Sequence, residues 1–179
     1  VRQISSMSRK NVETVYDAVP VESLIDHTCK LVETNCPRQV ELKRELELNG
    51  ENVLGNSTQL QQVLLNVCIN GIHAIGVGQG SLTLRAAVVP RAELAARVPE
   101  EKISDDWESY VCISVTDTGC GMDKDTLSHI FEPFFTTKKQ GEGTGLGLAL
   151  ADQIIRTHKG YILAESAIGK GTTFFLYLP

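Results

Sequence analysis

The residues of this sequence best suited to chemistry are two asparagines, one aspartate and a set of glycines. Asn66 and Asn70 are four apart, and His73 lies three further on, so a helix would carry all three on one face. An Asn carbonyl is a hard, neutral oxygen, suited to a Mg2+ ion that already carries phosphates and waters. Asp117 ends the run YVCISVTD and has the same parity as Val111, Ile113 and Val115, so its carboxylate points where the core side chains point. A buried carboxylate needs donors. Asp117 can cap a turn, as Asp-x-Gly commonly does. Alternatively it accepts a hydrogen bond from an adenine amino group, with Gly119 and Gly121 letting a flat base come close. Guanine offers a carbonyl at that position and would be rejected. Gly143, Gly145 and Gly147 precede an apolar helix, and amides at a helix N-terminus cradle phosphate. The string does not match GxxxxGK[ST], so a P-loop is not indicated. The GKGTT at 169–173 reads as a tight turn between strands. Lys138, after the apolar Phe131, Phe134 and Phe135, belongs either to a solvated loop or to a mobile lid whose lysine meets a phosphate on closing.

These groups need rigid elements behind them. From Gln59 to Ile75 the chain has no Lys, Arg, Asp or Glu, although solvated helix faces normally carry charge. This helix is expected to set Leu60, Val63, Leu64, Val67 and Ile75 against a sheet, with Thr58 and Gln61 as a capping box. Its amide face is either buried by neighbouring loops or lines a ligand cavity. Other expected elements are a short strand within 12–19, a helix at 22–35 and a half-exposed strand at 39–48. Strands at 81–89 and 110–117 flank a polar stretch with a possible short helix. A helix at about 146–158 and a hairpin of 160–167 with 172–178 complete the chain. On the first helix Leu24, Ile25, Cys29, Leu31 and Val32 fall roughly on one side. An α+β sandwich, one mixed and mainly antiparallel sheet covered on one face by helices, is the natural packing.

The 179 residues, 42% hydrophobic and 22% charged, suit one globular domain with a substantial core. A net charge of -5 argues against a nucleic-acid partner. No apolar run approaches the roughly 18–20 residues that span a bilayer. Five cysteines without a CxxC pair read as reduced thiols in a cytoplasmic setting, not a zinc site or disulfide framework.

In their order, Asn66-x-x-x-Asn70, Asp117-x-Gly119-x-Gly121, Phe131-Glu-Pro-Phe-Phe135, Gly143-Thr-Gly-Leu-Gly147 and Gly169-Lys-Gly-Thr-Thr resemble the catalytic ATP-binding domain of bacterial sensor histidine kinases. The boxes cover about residues 11–179, and FTTK…GTGLGLAL is most similar to the nitrogen-regulator and hybrid-kinase branches. The resemblance implies a Bergerat-type two-layer α/β sandwich with a mobile ATP lid. It implies Asn70, with Asn66 near it, for Mg2+ and phosphate, and Asp117 for the adenine amino group. Gly119 and Gly121 would lie close to the base, with Thr172 of the closing turn among the nucleotide contacts. Lys138 and the lid residues Gly143, Thr144, Gly145, Leu146 and Gly147 would bind phosphate. His73 would stand at a polar phosphate contact. Gly71 replaces the usual alanine, which at mid-helix costs about 1 kcal/mol, and either lets nucleotide or lid approach or is tolerated.

In ATP-hydrolysing relatives such as the gyrase B subunit and MutL, a Glu four residues before the metal-binding Asn activates water. Here that position is Asn66, which lacks basicity, so hydrolysis should be negligible and transfer should rest on positioning and charge neutralisation. The implied activity is transfer of the ATP γ-phosphoryl group to a histidine on a separate dimerisation domain, and onward to a response regulator receiver. None of His27, His73, His129 and His158 fits as the acceptor; His158 would end a helix, where positive charge is favoured. Residues 1–10 resemble the tail of the preceding dimerisation helix, and without that hairpin a monomer is expected. A regulatory nucleotide-binding module, an ATPase of the gyrase or MutL type and a serine-directed kinase are the alternatives.

Overall fold

A computed structural model describes residues 14–136 and 147–179 of the chain. Strand β1 (Asp17–Pro20) leads into helix α1 (Val21–Asn35), whose buried stripe is Val21, Leu24, Ile25, Thr28, Cys29 and Val32. Leu31 falls off that stripe and is 41% exposed, because one step from Val32 is about 100° of helix rotation. Of the strand expected at 12–19, the described residues show four in strand, Asp17–Pro20, ending one position beyond the expected end. β1 pairs antiparallel with a strand that the sequence reading missed, β3 (Asn52–Gly55).

The main sheet contains β2 (Val40–Glu47), β4 (Gly80–Pro90), β5 (Ser109–Asp117), β6 (Tyr161–Ser166) and β7 (Thr172–Leu178), in the order β2-β4-β5-β7-β6. β2 runs parallel to β4, and the other neighbours are antiparallel, so the sheet is mixed. Helices α1, α2 (Ser57–Ile75) and α5 (Gly147–Thr157) form the layer over one face. The core lies there, with Leu60, Val63, Leu64 and Val67 of α2 buried among Leu82, Leu84, Ile113 and Val115 of the sheet. α2 packs against α1, α5, β4 and β5, so it is held from three directions. That accounts for its missing charges better than solvation would.

Asn56 caps α2: its Oδ1 accepts from the Gln59 N–H at 2.9 Å. The Thr58–Gln61 box does not form, because the cap lies two residues earlier, at Asn56, and Thr58 is already inside the helix. Gln61 instead donates its side-chain amide to Thr28 Oγ1 at 2.8 Å, tying α2 to α1. The polar stretch after β4 folds over the opposite sheet face as α3 (Arg91–Ala95) and a short 3-10 turn, Glu100–Lys102. Leu94, Val98 and Ile103 close a second small core on Tyr110 and Tyr177. Arg97 stacks 4.0 Å above Phe175 and pairs with Glu165 at 3.2 Å.

His158 departs from the charge-favouring role read for it. It is buried, its Nε2 accepts from the Asn56 N–H at 3.0 Å, and its Nδ1 lies 2.7 Å from the Ile154 carbonyl. Both partners suit the neutral ring with its proton on Nδ1, and a second proton would set donor against donor. A Cβ on Gly55 would reach His158 Cδ2 at 2.6 Å, so β3, the start of α2 and the end of α5 meet through this ring.

Candidate nucleotide site

β5 delivers Asp117 at its C-terminal end, in register with Leu82 on one side and Thr172 on the other. Asp117 is 3% exposed, as the strand parity requires. Oδ1 accepts from the Gly119 N–H at 2.8 Å and from the Thr172 N–H at 3.3 Å. The turn-capping reading of Asp117 is thus satisfied by one oxygen alone. Oδ2 takes no hydrogen bond among the described residues. Burial pushes the Asp117 carboxyl above the usual carboxylate range, and the two backbone donors pull it partly back.

The loop after β5 is held on both sides. Thr118 exchanges bonds with Ser81, at 2.9 Å through its hydroxyl and 3.2 Å through its amide. The Cys120 N–H donates to the Ala74 carbonyl of α2 at 3.0 Å, and the Cys120 carbonyl accepts from the Gly169 N–H at 2.8 Å. Gly119 has no room for a side chain, since a Cβ would lie 2.5 Å from the Ala74 carbonyl carbon. Gly121 sits at φ 68° with the Ala167 carbonyl oxygen 2.0 Å from where a Cβ would go. Ser166 completes the clamp, accepting from the Met122 N–H at 2.8 Å and donating to the Gly171 carbonyl at 3.0 Å. The GKGTT segment is the β6–β7 turn, as expected, and it buttresses this loop.

α2 brings its amide face to the same place. Asn70 and His73 line a cavity of about 260 Å³ together with Asp117, Gly121, Gly147 and Thr172. Asn66 points elsewhere: its Nδ2 donates to the Gly147 carbonyl at 3.2 Å, so it joins α2 to the first residue of α5. Gly71 is not among the described residues that line the cavity. A Cβ there would meet Leu82 Cδ1 at 2.7 Å and Asp117 Cβ at 3.2 Å, so its role is the close seating of α2 on β4 and β5. Lys138, Gly143, Thr144, Gly145 and Leu146 lie outside the described residues.

Sequence reasoning missed the apolar wall of the cavity, which includes Met122, Ile130, Phe135, Leu148 and Phe174. Phe174 was recoverable, since it shares the core parity of β7. The Phe cluster divides: Phe131 packs on Phe174 with ring centres 6.4 Å apart, Phe135 lines the cavity, and Phe134 is 74% exposed at φ 66°. α4 (Lys124–His129), capped by Asp123 onto the Thr126 N–H at 2.7 Å, carries Thr126 to the rim.

The geometry suits a flat, amino-bearing ring with an anionic tail. The cavity offers an apolar wall and a carboxylate oxygen unbonded among the described residues for a ring, and the neutral Asn70 amide for a tail. Among the described residues no three His, Cys, Asp or Glu side chains converge on a metal position. That donor set fits a cation carried in on phosphates, with Asn70 as a supplementary oxygen. No helix among the described residues is long and apolar enough to cross a membrane.

The family described as histidine kinase-, DNA gyrase B-, and HSP90-like ATPase matches residues 55–179. The sensor kinase CckA of Brucella abortus (strain 2308) is 35% identical over 179 residues, covering 100% of this chain and 18% of the relative. The sensory histidine kinase/phosphatase NtrB of Rhizobium leguminosarum bv. phaseoli is 35% identical over 162 residues, or 90% of this chain and 40% of the relative. The chain thus spans less than half the length of these curated relatives. The solved catalytic domain of histidine kinase ThkA superposes with a TM-score of 0.72 at 27% identity, covering 92% of this chain and 95% of that one. The mycobacterial sensor histidine kinase MprB shares the fold at a TM-score of 0.72 and 23% identity, over 92% of this chain and 97% of that one. The chain belongs to the histidine kinase-, DNA gyrase B- and HSP90-like ATPase family, as an ATP-binding catalytic domain of the sensor histidine kinase kind.

Proposed function

We propose that this chain is the catalytic part of a longer sensor kinase. It binds Mg2+–ATP in the cavity between α2 and β5 and donates the γ-phosphoryl group to a histidine on a separate dimerisation domain. A response regulator receiver then takes the group from that histidine. The observation that carries this reading is that Asp117, whose Oδ2 takes no bond from the described residues, lines the same cavity as Asn70.

Asp117 Oδ2 accepts from the adenine amino group, while Gly119 and Thr172 hold the carboxylate in place. Gly121 and Met122 form part of the floor for the base. Asn70 supplies an oxygen toward the metal, and His73 and Thr172 contact the phosphates. When bound, magnesium supplies charge neutralisation between the phosphate oxygens. We assign Lys138 and the amides of residues 143–147 to the phosphates from the lid side. We also assign residues 11–179 to the catalytic domain and residues 1–10 to the tail of the preceding dimerisation helix.

Kinase chemistry is favoured over hydrolysis by what stands at Asn66. An amide cannot take a proton from water, and this one already donates to Gly147. Among the described residues that line the cavity, Asp117 is the sole Asp or Glu, and it is held by backbone donors. The phosphoacceptor lies elsewhere in the full protein: His158 is buried in its neutral contacts, and His129 is engaged by Glu132.

Calorimetric titration with ATP, with and without Mg2+, tests the binding half. Wild type should bind with Mg2+-dependent affinity, and Asn70→Ala should lose most of that dependence. A separately prepared dimerisation hairpin then tests transfer. Acid-labile phosphate on its histidine is the expected product; steady phosphate release from the chain alone would contradict the reading.

A further inference from the structure

We propose that Cys120 is a thiol-modification site at which a small-molecule disulfide and the nucleotide exclude one another. The proposal rests on the nucleotide reading of the cavity and adds a regulator to it. Among the five cysteines only Cys120 is exposed, and it lines the cavity. A second feature of that cavity points to a ligand: Asp117, 3% exposed, lines it and keeps an Oδ2 that no described residue bonds. The thiol therefore stands beside a recognition group that awaits a partner.

The backbone around Cys120 has no slack. Its N–H is bonded to Ala74 at 3.0 Å and its carbonyl to Gly169 at 2.8 Å. Its neighbours are fixed as well: Gly119 is seated on Ala74, and Gly121 is locked at φ 68° against Ala167. A group added to the sulfur cannot be absorbed by moving the loop, so it occupies the mouth of the cavity. A tripeptide-sized adduct is comparable in bulk to the roughly 260 Å³ available. Bound nucleotide, conversely, covers the sulfur.

The other thiols are poor competitors. Cys29 and Cys68 are buried, and burial pushes Cys68 up to about 12 and Cys112 up to about 11. Burial also raises Cys29 and Cys36, with Glu33 adding to both. Since the thiolate is the nucleophile, modification concentrates on the exposed site.

The step is thiol–disulfide exchange. The Cys120 thiolate attacks one sulfur of a low-molecular-weight disulfide, a new S–S bond forms, and the old one breaks. The departing half leaves as a thiolate and takes up the proton that Cys120 released. Cys120 is oxidised, half of the disulfide is reduced, and excess small thiol reverses the exchange.

The test uses the full chain and glutathione disulfide. Mass spectrometry should find one glutathionyl group, on the peptide containing Cys120. Its formation should slow by at least about tenfold under saturating Mg2+–ATP. The modified chain, with its circular dichroism unchanged, should bind ATP at least about tenfold more weakly, and dithiothreitol should restore binding. The affinity of Cys120→Ser, whatever its starting value, should not respond to the disulfide. Modification at another cysteine, an adduct that leaves ATP affinity intact, or loss of the native spectrum on modification would each overturn the proposal alone. An unmodified chain that binds no ATP would overturn the nucleotide reading and this proposal together.

Discussion

Replacing Asp117 by Asn changes one atom's hydrogen-bonding sense at the bottom of the cavity. Oδ1 keeps its bonds from Gly119 and Thr172, because an amide oxygen accepts as a carboxylate oxygen does. The amide NH2 then replaces Oδ2, the oxygen assigned to adenine. Two donors would face one another across that contact. A hydrogen bond to a charged group contributes about 1.5–3 kcal/mol, and an unsatisfied buried donor costs about 1–3 kcal/mol. A combined loss of at least about 3 kcal/mol corresponds to ATP binding weakened by at least about 100-fold. Folding stability should change by less than about 1 kcal/mol, since the backbone partners remain and a desolvated charge is gone. Calorimetric titration with ATP and GTP, alongside thermal unfolding, reads both quantities. The substitution should narrow the gap between ATP and GTP, because guanine's carbonyl now meets a donor. The same group sets a pH dependence. Burial raises its folded pKa, so its proton is held more tightly in the fold, and taken alone Asp117 adds stability as pH falls through that value and withdraws it as pH rises. Adenine recognition runs the opposite way: it needs the carboxylate and should weaken on acidification, beginning above the usual Asp range, whereas Asp117→Asn should lack this component. ATP affinity of Asp117→Asn within twofold of wild type would refute the reasoning.

Further outcomes concern the supports of the site. Asn56→Ala removes the α2 cap and should lower stability by about 1 kcal/mol, whereas Thr58→Ala should be near neutral; chemical denaturation distinguishes them. His158→Ala leaves the Asn56 N–H without its partner and opens space at a three-element junction, with a loss of about 2–4 kcal/mol expected in the same assay. Asn66→Ala breaks the bond to Gly147 and should cost about 0.5–1.5 kcal/mol, with no gain in phosphate release. A measurable rise in phosphate release would contradict a merely supporting role for that amide.

Much of this was legible because long, strongly patterned segments speak for themselves. Gln59–Ile75 declared a helix needing neighbours on every side, and the parity of Val111, Ile113 and Val115 turned Asp117 inward before any coordinates. β3 was not legible: four residues, Asn-Val-Leu-Gly, carry no periodicity, and only pairing with β1 makes them a strand. The cap went to Asn56 because the preceding backbone places its side chain over the helix end, which the rival Thr58 cannot signal locally. The role of His158 depends on a residue 102 positions away. Gly71 looked like a concession to ligand or lid, yet the space it saves is filled by Leu82 and Asp117, a helix–sheet contact with no local signature. The second small core is likewise a long-range product, since Leu94 and Ile103 find Tyr177 only once β7 has paired with β5.

The most direct measurement is a crystal structure of the chain with Mg2+ and a non-hydrolysable ATP analogue. The expected density places the adenine amino group on Asp117 Oδ2 and the metal-bound phosphates beside Asn70. A nucleotide bound outside that cavity, or one that reaches Asp117 while its phosphates lie away from Asn70, would contradict the account.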